Sequence, residues 1–454
     1  MGAIVEEELE PLGWPLVRLA LVIVLGGVAP LVDTTIVNVA LPTVAADFGV
    51  GTTAIQWVST GYLLALGVAI PVTSWATSRF GAARLWLAGL AVFLAGSALS
   101  GLSWNLGSLL VFRVLQGVGA GVLLPVLQTI LVRAAGPAKT ARLLTIVMLV
   151  SVIAPIAGPL VGGVIVDGGS WRWLFAINVP LCLTAIVLAR RFVPMDSADR
   201  GSRLDLPGLG LLAPAVVALL FALTNAASGS GFVVPLSVGV VLLGGFVGWS
   251  LRRGERGLIP VRLFANRAFG ASAAVLFLTG LSLYGALFLI PLYFEQERGL
   301  GAFAAGMILA LQGVGSLLTR WVGGVVDRVG ARVIAVVGIA GCAAATVPFV
   351  VAGPSTSFVV LGVALVVRGG ALSAANIAVT SAAFTRLPRE DVPSGAAVVR
   401  LVQQLGGSAG TAVLAAIAAA GAFHVAFVVS ATLAIVAVGP ALLLGRRKIV
   451  VAAR

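Results

Sequence analysis

The chain has 454 residues, of which 60% are hydrophobic and only 10% carry a charge. A soluble fold has about 25% charged residues and needs more polar surface than this composition provides, so an ordinary cytosolic protein is excluded. The net charge of +13 is attributed to basic loops that fix a membrane topology rather than to nucleic-acid binding.

Fourteen apolar segments are each long enough to cross a bilayer as a helix, which takes about 20 residues. Their apolar residues are continuous rather than alternating, which excludes a membrane β-barrel. The predicted spans are residues 16–40, 54–74, 85–103, 107–132, 143–166, 171–189, 206–226, 231–251, 270–294, 303–326, 333–352, 356–385, 392–418 and 422–445.

The basic residues predict the orientation of these spans. If both chain ends are cytoplasmic, the inner loops hold 22 Lys and Arg residues, whereas the outer loops hold only Arg172 and Arg298. Cytoplasmic loops are enriched in these residue types. We therefore expect a multi-pass protein of the bacterial cytoplasmic membrane with both termini in the cytoplasm.

Two internal repeats predict the domain organisation. The loop around Arg79 and Gly81 resembles the loop around Arg328 and Gly330, 249 residues later, and Arg113 is matched by an arginine 255 residues on. Spans 1–6 and 9–14 are therefore expected to be two copies of one six-helix unit, with spans 7 and 8 as an inserted pair. The predicted parts are a tail (1–13), a first bundle (14–191), linkers with the inserted helices (192–269), a second bundle (270–445) and a tail (446–454).

Asp33 is the one acidic residue placed well inside a predicted span. An acid in a membrane is costly and indicates a function by default. Burial favours its neutral form and a nearby cation favours its charged form, so such a group can take up and release protons. Arg113 lies at a similar depth in span 4, about 10 Å below the outer surface, which permits either a functional or a purely structural ion pair.

Other polar residues within the spans are candidates for lining a substrate cavity, although hydrogen bonds between helices would explain them equally well. Arg368 has no acid at its depth, because Ser282 stands where the repeat would place a second aspartate. It is expected to bind carbonyl groups or substrate. The cavity candidates are Asn38, Gln116, Gln312, Arg368, Asn376, Gln403 and Gln404.

Small residues and the two similar loops are candidates for conformational change. Glycines let helices approach closely and a proline permits a bend, although simple close packing is the alternative. The glycines of the loops provide tight turns, and the flanking charges either control gating or anchor the cytoplasmic ends. The predicted gating residues are Gly81, Arg84, Asp327, Arg328, Gly330, Gly158, Pro159, Gly162 and Gly163.

Four motifs in chain order resemble the fourteen-span drug:proton antiporters of the major facilitator superfamily. They are Asp33-Thr-Thr-Ile-Val-Asn38-Val-Ala-Leu-Pro42, Arg113-Val-Leu-Gln116-Gly117-Val-Gly119, Gly158-Pro159-Leu-Val-Gly162-Gly163 and Trp171-Arg172-Trp173-Leu-Phe175-Ala-Ile-Asn178-Val-Pro180. The resemblance implies an all-α fold of two six-helix bundles plus two inserted helices. One departure is Ser78, which stands where that family usually has an aspartate in the first repeated loop.

The expected function is proton-coupled export of small amphipathic compounds, such as drugs or antibiotics, by a monomer that alternates its access between the two sides. A carrier of the same fold for a specific metabolite or lipid is the alternative. A membrane receptor or enzyme would need a sensor domain or a cluster of acids, histidines or metal ligands. No metal site is expected from Cys182 and Cys342. No cofactor is expected, since a phosphate-binding loop is missing and the proton gradient would drive transport.

Overall fold

A computed structural model describes residues 13–194, 204–226, 231–254, 257–259, 261–319, 329–353, 355–384, 387 and 392–445. Within these ranges every regular element is a helix. Twelve of the described helical segments are long and apolar enough to cross a membrane, and two shorter apolar helices, Ala157–Asp167 and Ala302–Leu318, coincide with predicted spans 5 and 10. The all-α polytopic class is confirmed, whereas the count of fourteen spans stays a prediction.

The longer helices are labelled here in chain order. They are α1 (Trp14–Phe48), α2 (Trp57–Phe80), α3 (Ala82–Gly101), α4 (Leu106–Asp167), α5 (Asn178–Phe192), α6 (Leu206–Ala226), α7 (Val233–Arg253), α8 (Arg267–Gln296), α9 (Ala302–Leu318), α10 (Ala331–Val350), α11 (Phe358–Phe384), α12 (Val392–Ala419) and α13 (Phe423–Val436). Short helices precede α2 (Thr52–Ile55), α5 (Trp173–Ala176) and α8 (Val261–Ala265), and one follows α13 (Val438–Ala441).

Helix α4 is 62 residues long and covers both the fourth and the fifth predicted spans. Arg113 near its start bonds to Asp33 of α1, while Gly158 near its end packs on Thr35, two residues further along α1. A straight helix would separate Arg113 from Gly158 by about 68 Å. The chain must therefore reverse its direction between them. Helical backbone continues through the connection between the two predicted spans.

The helices form two groups, here called the first half (α1–α5) and the second half (α8–α13). The halves meet where α4 packs on α9, where α2 packs on α12 and where α1 packs on α8. Toward the predicted outer end, one apolar core contains residues of both halves, including Val44 and Phe175 with Phe288 and Phe427. A second core, around Trp86, consists of buried residues of the first half.

The predicted inserted pair forms a separate hairpin on the side of the molecule. Asp205 accepts hydrogen bonds from Gly208 N at the start of α6 (3.1 Å) and from Trp249 Nε1 of α7 (2.8 Å), which ties the two helices together. Helix α6 packs on α2 and α12, whereas α7 packs mainly on α6. Val234 and Val241 of α7 are about 70% exposed, as expected for a face toward lipid. The predicted domain boundaries themselves remain predictions.

Candidate functional site

Asp33 lies in the middle of α1 and is completely buried. Arg113 Nη1 donates to Asp33 Oδ2 at 2.6 Å, and Gln116 Nε2 donates to Asp33 Oδ1 at 2.9 Å. Arg113 and Gln116 are one helical turn apart on α4, so one face of that helix presents both donors. The structure thus brings together three of the residues singled out in the sequence.

The Arg113 side chain is fixed by contacts other than its ion pair. Its Nε donates to the Val58 carbonyl of α2 at 3.2 Å, and its Nη1 also donates to Gln116 Oε1 at 2.6 Å. The guanidinium lies over the ring of Tyr62, 4.1 Å from the centroid. Tyr62 in turn donates its hydroxyl to the Pro30 carbonyl of α1 at 3.3 Å. This buried network joins α1, α2 and α4.

Asn178 of α5 is a further partner of Asp33, one that was not predicted as a site residue. Its Nδ2 donates to Asp33 Oδ1 at 3.3 Å and to Ser97 Oγ at 3.0 Å. Ser97 then donates to the Phe175 carbonyl at 2.9 Å. A signal was available, because Asn178 belongs to one of the four quoted motifs. Through these contacts α3 and α5 also hold the carboxylate.

Arg368 occupies the corresponding position in the second half without an acidic partner. Its Nη2 donates to the carbonyl and hydroxyl oxygens of Ser282 at 2.8 and 2.9 Å. Its Nη1 donates to Gln312 Oε1 at 2.7 Å, and its Nε to Thr346 Oγ1 at 3.3 Å. Of the two roles expected for Arg368, the structure favours the binding of neutral oxygens within the bundle.

Two of the cavity candidates are satisfied by local hydrogen bonds. Asn38 donates to the Thr34 carbonyl at 3.0 Å and accepts from Ser59 at 2.6 Å, which joins α1 to α2. Asn376 Oδ1 accepts from Thr279 at 3.0 Å. These geometries match the structural alternative, in which a buried amide serves a contact between helices.

The remaining amides lie on α12, where it packs on α8. Gln403 lies against Gly280, whose missing side chain leaves room for it. Gln404 is buried and donates to the Tyr284 hydroxyl at 3.2 Å, while its Oε1 has no hydrogen-bond partner in the described chain. The two glutamines therefore differ in their contacts. Gln403 packs in the interface between α8 and α12, whereas the side-chain oxygen of Gln404 has no donor within the described residues.

The Gly158–Gly163 motif lies between two helices of opposite halves. A side chain at Gly158 would overlap Thr35 of α1, and one at Gly163 would overlap the Phe303 backbone of α9. On the other side of the same contact, Gly306 of α9 packs directly on the Pro159 carbonyl. Gly162 packs on Ile36 of α1. The motif therefore forms a close seam between the two halves.

Asp167, at the end of α4, caps α9 across this seam. Its Oδ1 accepts from Ala302 N at 3.1 Å, and its Oδ2 accepts from Phe303 N at 2.9 Å. A carboxylate at a helix N-terminus satisfies otherwise unpaired amides and interacts favourably with the helix dipole. This contact was not predicted, because Asp167 directly follows predicted span 5 and nothing in the sequence places it near α9.

The predicted gating loops are only partly described. Gly81 and Gly330 both have positive φ angles, 86° and 97°, which glycine adopts without strain. Arg84 is exposed at the start of α3. Asp327 and Arg328 lie outside the described residues. In the described part of the chain, no group of three or more His, Cys, Asp or Glu side chains is arranged to hold a metal ion.

The chain resembles transporters both in sequence and in fold. The Major Facilitator Superfamily profile matches residues 23–411. The multidrug resistance protein B homolog of Mycobacterium tuberculosis is 35% identical over 407 residues, which cover 88% of this chain and 75% of that protein. The multidrug export protein EmrB of Haemophilus influenzae is 30% identical over 417 residues, covering 88% and 80%.

Solved structures with little sequence identity share the fold alone. A bacterial homolog of the human lysosomal transporter Spinster, in an inward-facing and unoccupied conformation, has a TM-score of 0.69 at 15% identity, covering 96% of this chain and 98% of that one. A D-xylose–proton symporter has a TM-score of 0.68 at 14% identity, covering 95% and 98%. The predicted family is confirmed: the chain belongs to the Major Facilitator Superfamily and is a multi-pass transporter of that superfamily.

Proposed function

We propose that the protein exports small amphipathic compounds in exchange for protons. The observation that carries this proposal is the Asp33–Arg113 ion pair, completely buried in the first half with Gln116 and Asn178 as further donors. The relatives named for multidrug resistance and multidrug export support the class of substrate and the direction of transport.

The chemistry of the site supplies a mechanism for coupling. A charged Asp33 holds Arg113, and through it α2 and α4, by a pair that is strong in surroundings with little water. A proton taken up by Asp33 neutralises the acid and converts the ionic hydrogen bond into a weaker one. Because Arg113 also bonds to Val58 and lies over Tyr62, weakening of this pair alters the packing of three helices. Protonation thereby biases the equilibrium between outward-open and inward-open states.

The contacts between the halves support alternating access. Both halves contribute to one apolar core toward the predicted outer end, and the glycine seam with its Asp167 cap lies in the same region. Opening toward the outside requires these contacts to separate. A seam of glycines suits this movement, because it has few interlocking side chains.

The same proposal includes several properties of the whole protein. It acts as a monomer in the bacterial cytoplasmic membrane with both termini cytoplasmic, and it uses the proton gradient without a cofactor. It moves its substrate without converting it chemically, so it is not an enzyme. The division into a first bundle, an inserted pair and a second bundle is part of the proposal.

Transport by purified protein in proteoliposomes tests this function. A fluorescent amphipathic compound should be moved toward the acidic side when a pH gradient is imposed, and a protonophore should abolish the movement. Liposomes without protein provide the control for passive diffusion. Movement that is indifferent to the pH gradient but follows a sodium gradient would contradict proton coupling.

A further inference from the structure

A second polar cluster, formed by Tyr284, Arg400 and Gln404, lies apart from the Asp33 network. Arg400 is about 12 Å along α12 from its first residue, and Gln404 follows one turn later on the same face. Gln404 donates to Tyr284 of α8, whose ring lies on Gly407. The cluster therefore consists of side chains of the second half only.

Arg400 is partly buried and has no partner in the described part of the chain, unlike the fully buried Arg113 and Arg368. Arg113 is paired with Asp33, and Arg368 has four hydrogen bonds. For Arg400, no hydrogen bond or ion pair is found in the described part of the chain, and its main electrostatic neighbour is the Tyr284 hydroxyl. A partly buried cation inside a membrane protein is costly unless it is paired. An anion bound beside it would supply the missing partner.

Gln404 is the second group with unused bonding capacity. It is 6% exposed, and its Oε1 is buried with no hydrogen-bond partner in the described chain. Its Nε2 already donates to the Tyr284 hydroxyl, which leaves the hydroxyl proton of Tyr284 available to an acceptor. The cluster thus offers a guanidinium and a phenol as donors and an amide oxygen as an acceptor.

The cluster is placed between the two halves. Gln404 packs beside Gly67 of α2, where a side chain at Gly67 would lie 3.3 Å from Gln404 Cβ. Tyr284 also packs against the Trp86-centred core of the first half. Tyr62, the tyrosine beneath Arg113, belongs to the same core. A ligand bound here would contact both halves and lie near the network that carries the proton.

We propose that Arg400 and Tyr284 bind the negatively charged group of an amphipathic anion, such as an aryl or alkyl carboxylate, while Gln404 positions the Tyr284 hydroxyl. Arg400 pairs with the carboxylate, Tyr284 donates a hydrogen bond to it, and the apolar body of the compound lies along the surrounding aliphatic side chains. This inference rests on the proposed export function and narrows its substrate class to anions.

Three probes of one scaffold test the inference by equilibrium binding to the protein in lipid nanodiscs: 4-octylbenzoate, neutral 4-octylbenzamide and cationic 4-octylbenzylamine. Binding to empty nanodiscs is subtracted. The wild-type protein should bind the benzoate at least tenfold more tightly than the benzamide. Arg400→Gln should remove this preference by weakening benzoate binding, while benzamide binding and the melting temperature stay near those of wild type. Arg400→Lys should retain part of the preference, because the charge remains.

Arg18→Gln is the matched control, because Arg18 is an exposed arginine of α1 that lies over the Phe192 ring. It should bind all three probes as wild type does. Equal binding of benzoate and benzamide, tighter binding of the cation, or an unchanged preference in Arg400→Gln would overturn the inference. Export of benzamide driven by a pH gradient, without any preference for the anion, would support the proposed export function and contradict only the anion site.

Discussion

At the scale of single residues, the Asp33 carboxylate is held by geometry as much as by charge. Arg113 bonds to the acid and to the Val58 carbonyl in two different directions, and its flat guanidinium lies on the Tyr62 ring. A lysine ammonium supplies a point charge, but it has neither this fork of donors nor a planar face. The geometry of the site therefore favours arginine over lysine.

Replacing Arg113 by lysine tests this requirement. Arg113→Lys keeps the positive charge but loses the bond to Val58 and the stacking on Tyr62. We expect proton-driven efflux in proteoliposomes to fall at least tenfold while the protein still folds. Arg190→Lys, at the exposed end of α5, is the control and should transport normally. Wild-type efflux by Arg113→Lys would mean that charge alone is sufficient.

The core of the site could be predicted from the sequence, but its full set of partners could not. Asp33 stood out as a lone acid inside a span, and the depth of Arg113 made it a candidate partner. Ser97 and Asn178 carry no charge, and uncharged polar residues occur in spans for many structural reasons. Their bonds join residues 81 and 145 positions apart, a proximity that only the packing of α3 and α5 against α1 creates.

At the scale of elements, α4 contains both a functional and a structural contact surface. Its first part presents Arg113 to α1, and its last part forms the glycine seam with α1 and α9. The two crossings were predictable from hydropathy. The continuous helix was not, since basic residues between two apolar stretches indicate a membrane boundary but do not stop a helix.

Enlarging the seam glycine Gly163 should disturb the contact between the halves. A valine side chain there would overlap the Phe303 backbone, which cannot move without shifting α9. We expect Gly163→Val to lower the melting temperature, through an overpacking cost of about 1–3 kcal/mol, and to slow efflux. Gly169→Val is the matched control, because Gly169 has open space around its Cα. Equal effects of the two substitutions would show that the seam is not closely packed in the membrane.

At the scale of the whole molecule, the two halves differ in chemistry at the matching positions of the sequence repeat. The first half holds a buried acid paired with Arg113, whereas the second half has Ser282 and neutral oxygens around Arg368. The repeat in the sequence predicted this asymmetry. It assigns the protonatable group to one half and leaves the other half free to bind substrate, so few protons should move in each cycle.

The orientation of the molecule is tested by labelling with a membrane-impermeant thiol reagent. Cysteines replacing exposed Ser357 and Ser78 should react from outside and from inside the cell, respectively, because both termini are expected in the cytoplasm. Cys182 and Cys342 are buried and are replaced first to remove background. Labelling of Ser78→Cys from outside would contradict the arginine-based topology.

The central claim is that the proton is carried by Asp33. The most direct measurement is efflux driven by a pH gradient in proteoliposomes containing Asp33→Asn, compared with Asp47→Asn. Asn keeps the size of the side chain and can still hydrogen-bond, but it cannot take up a proton. Asp47 is the matched control, because it lies on the same helix but is 47% exposed and is paired with surface Arg172. We predict that Asp33→Asn abolishes efflux while Asp47→Asn retains it. Efflux by Asp33→Asn at the wild-type rate would contradict the account.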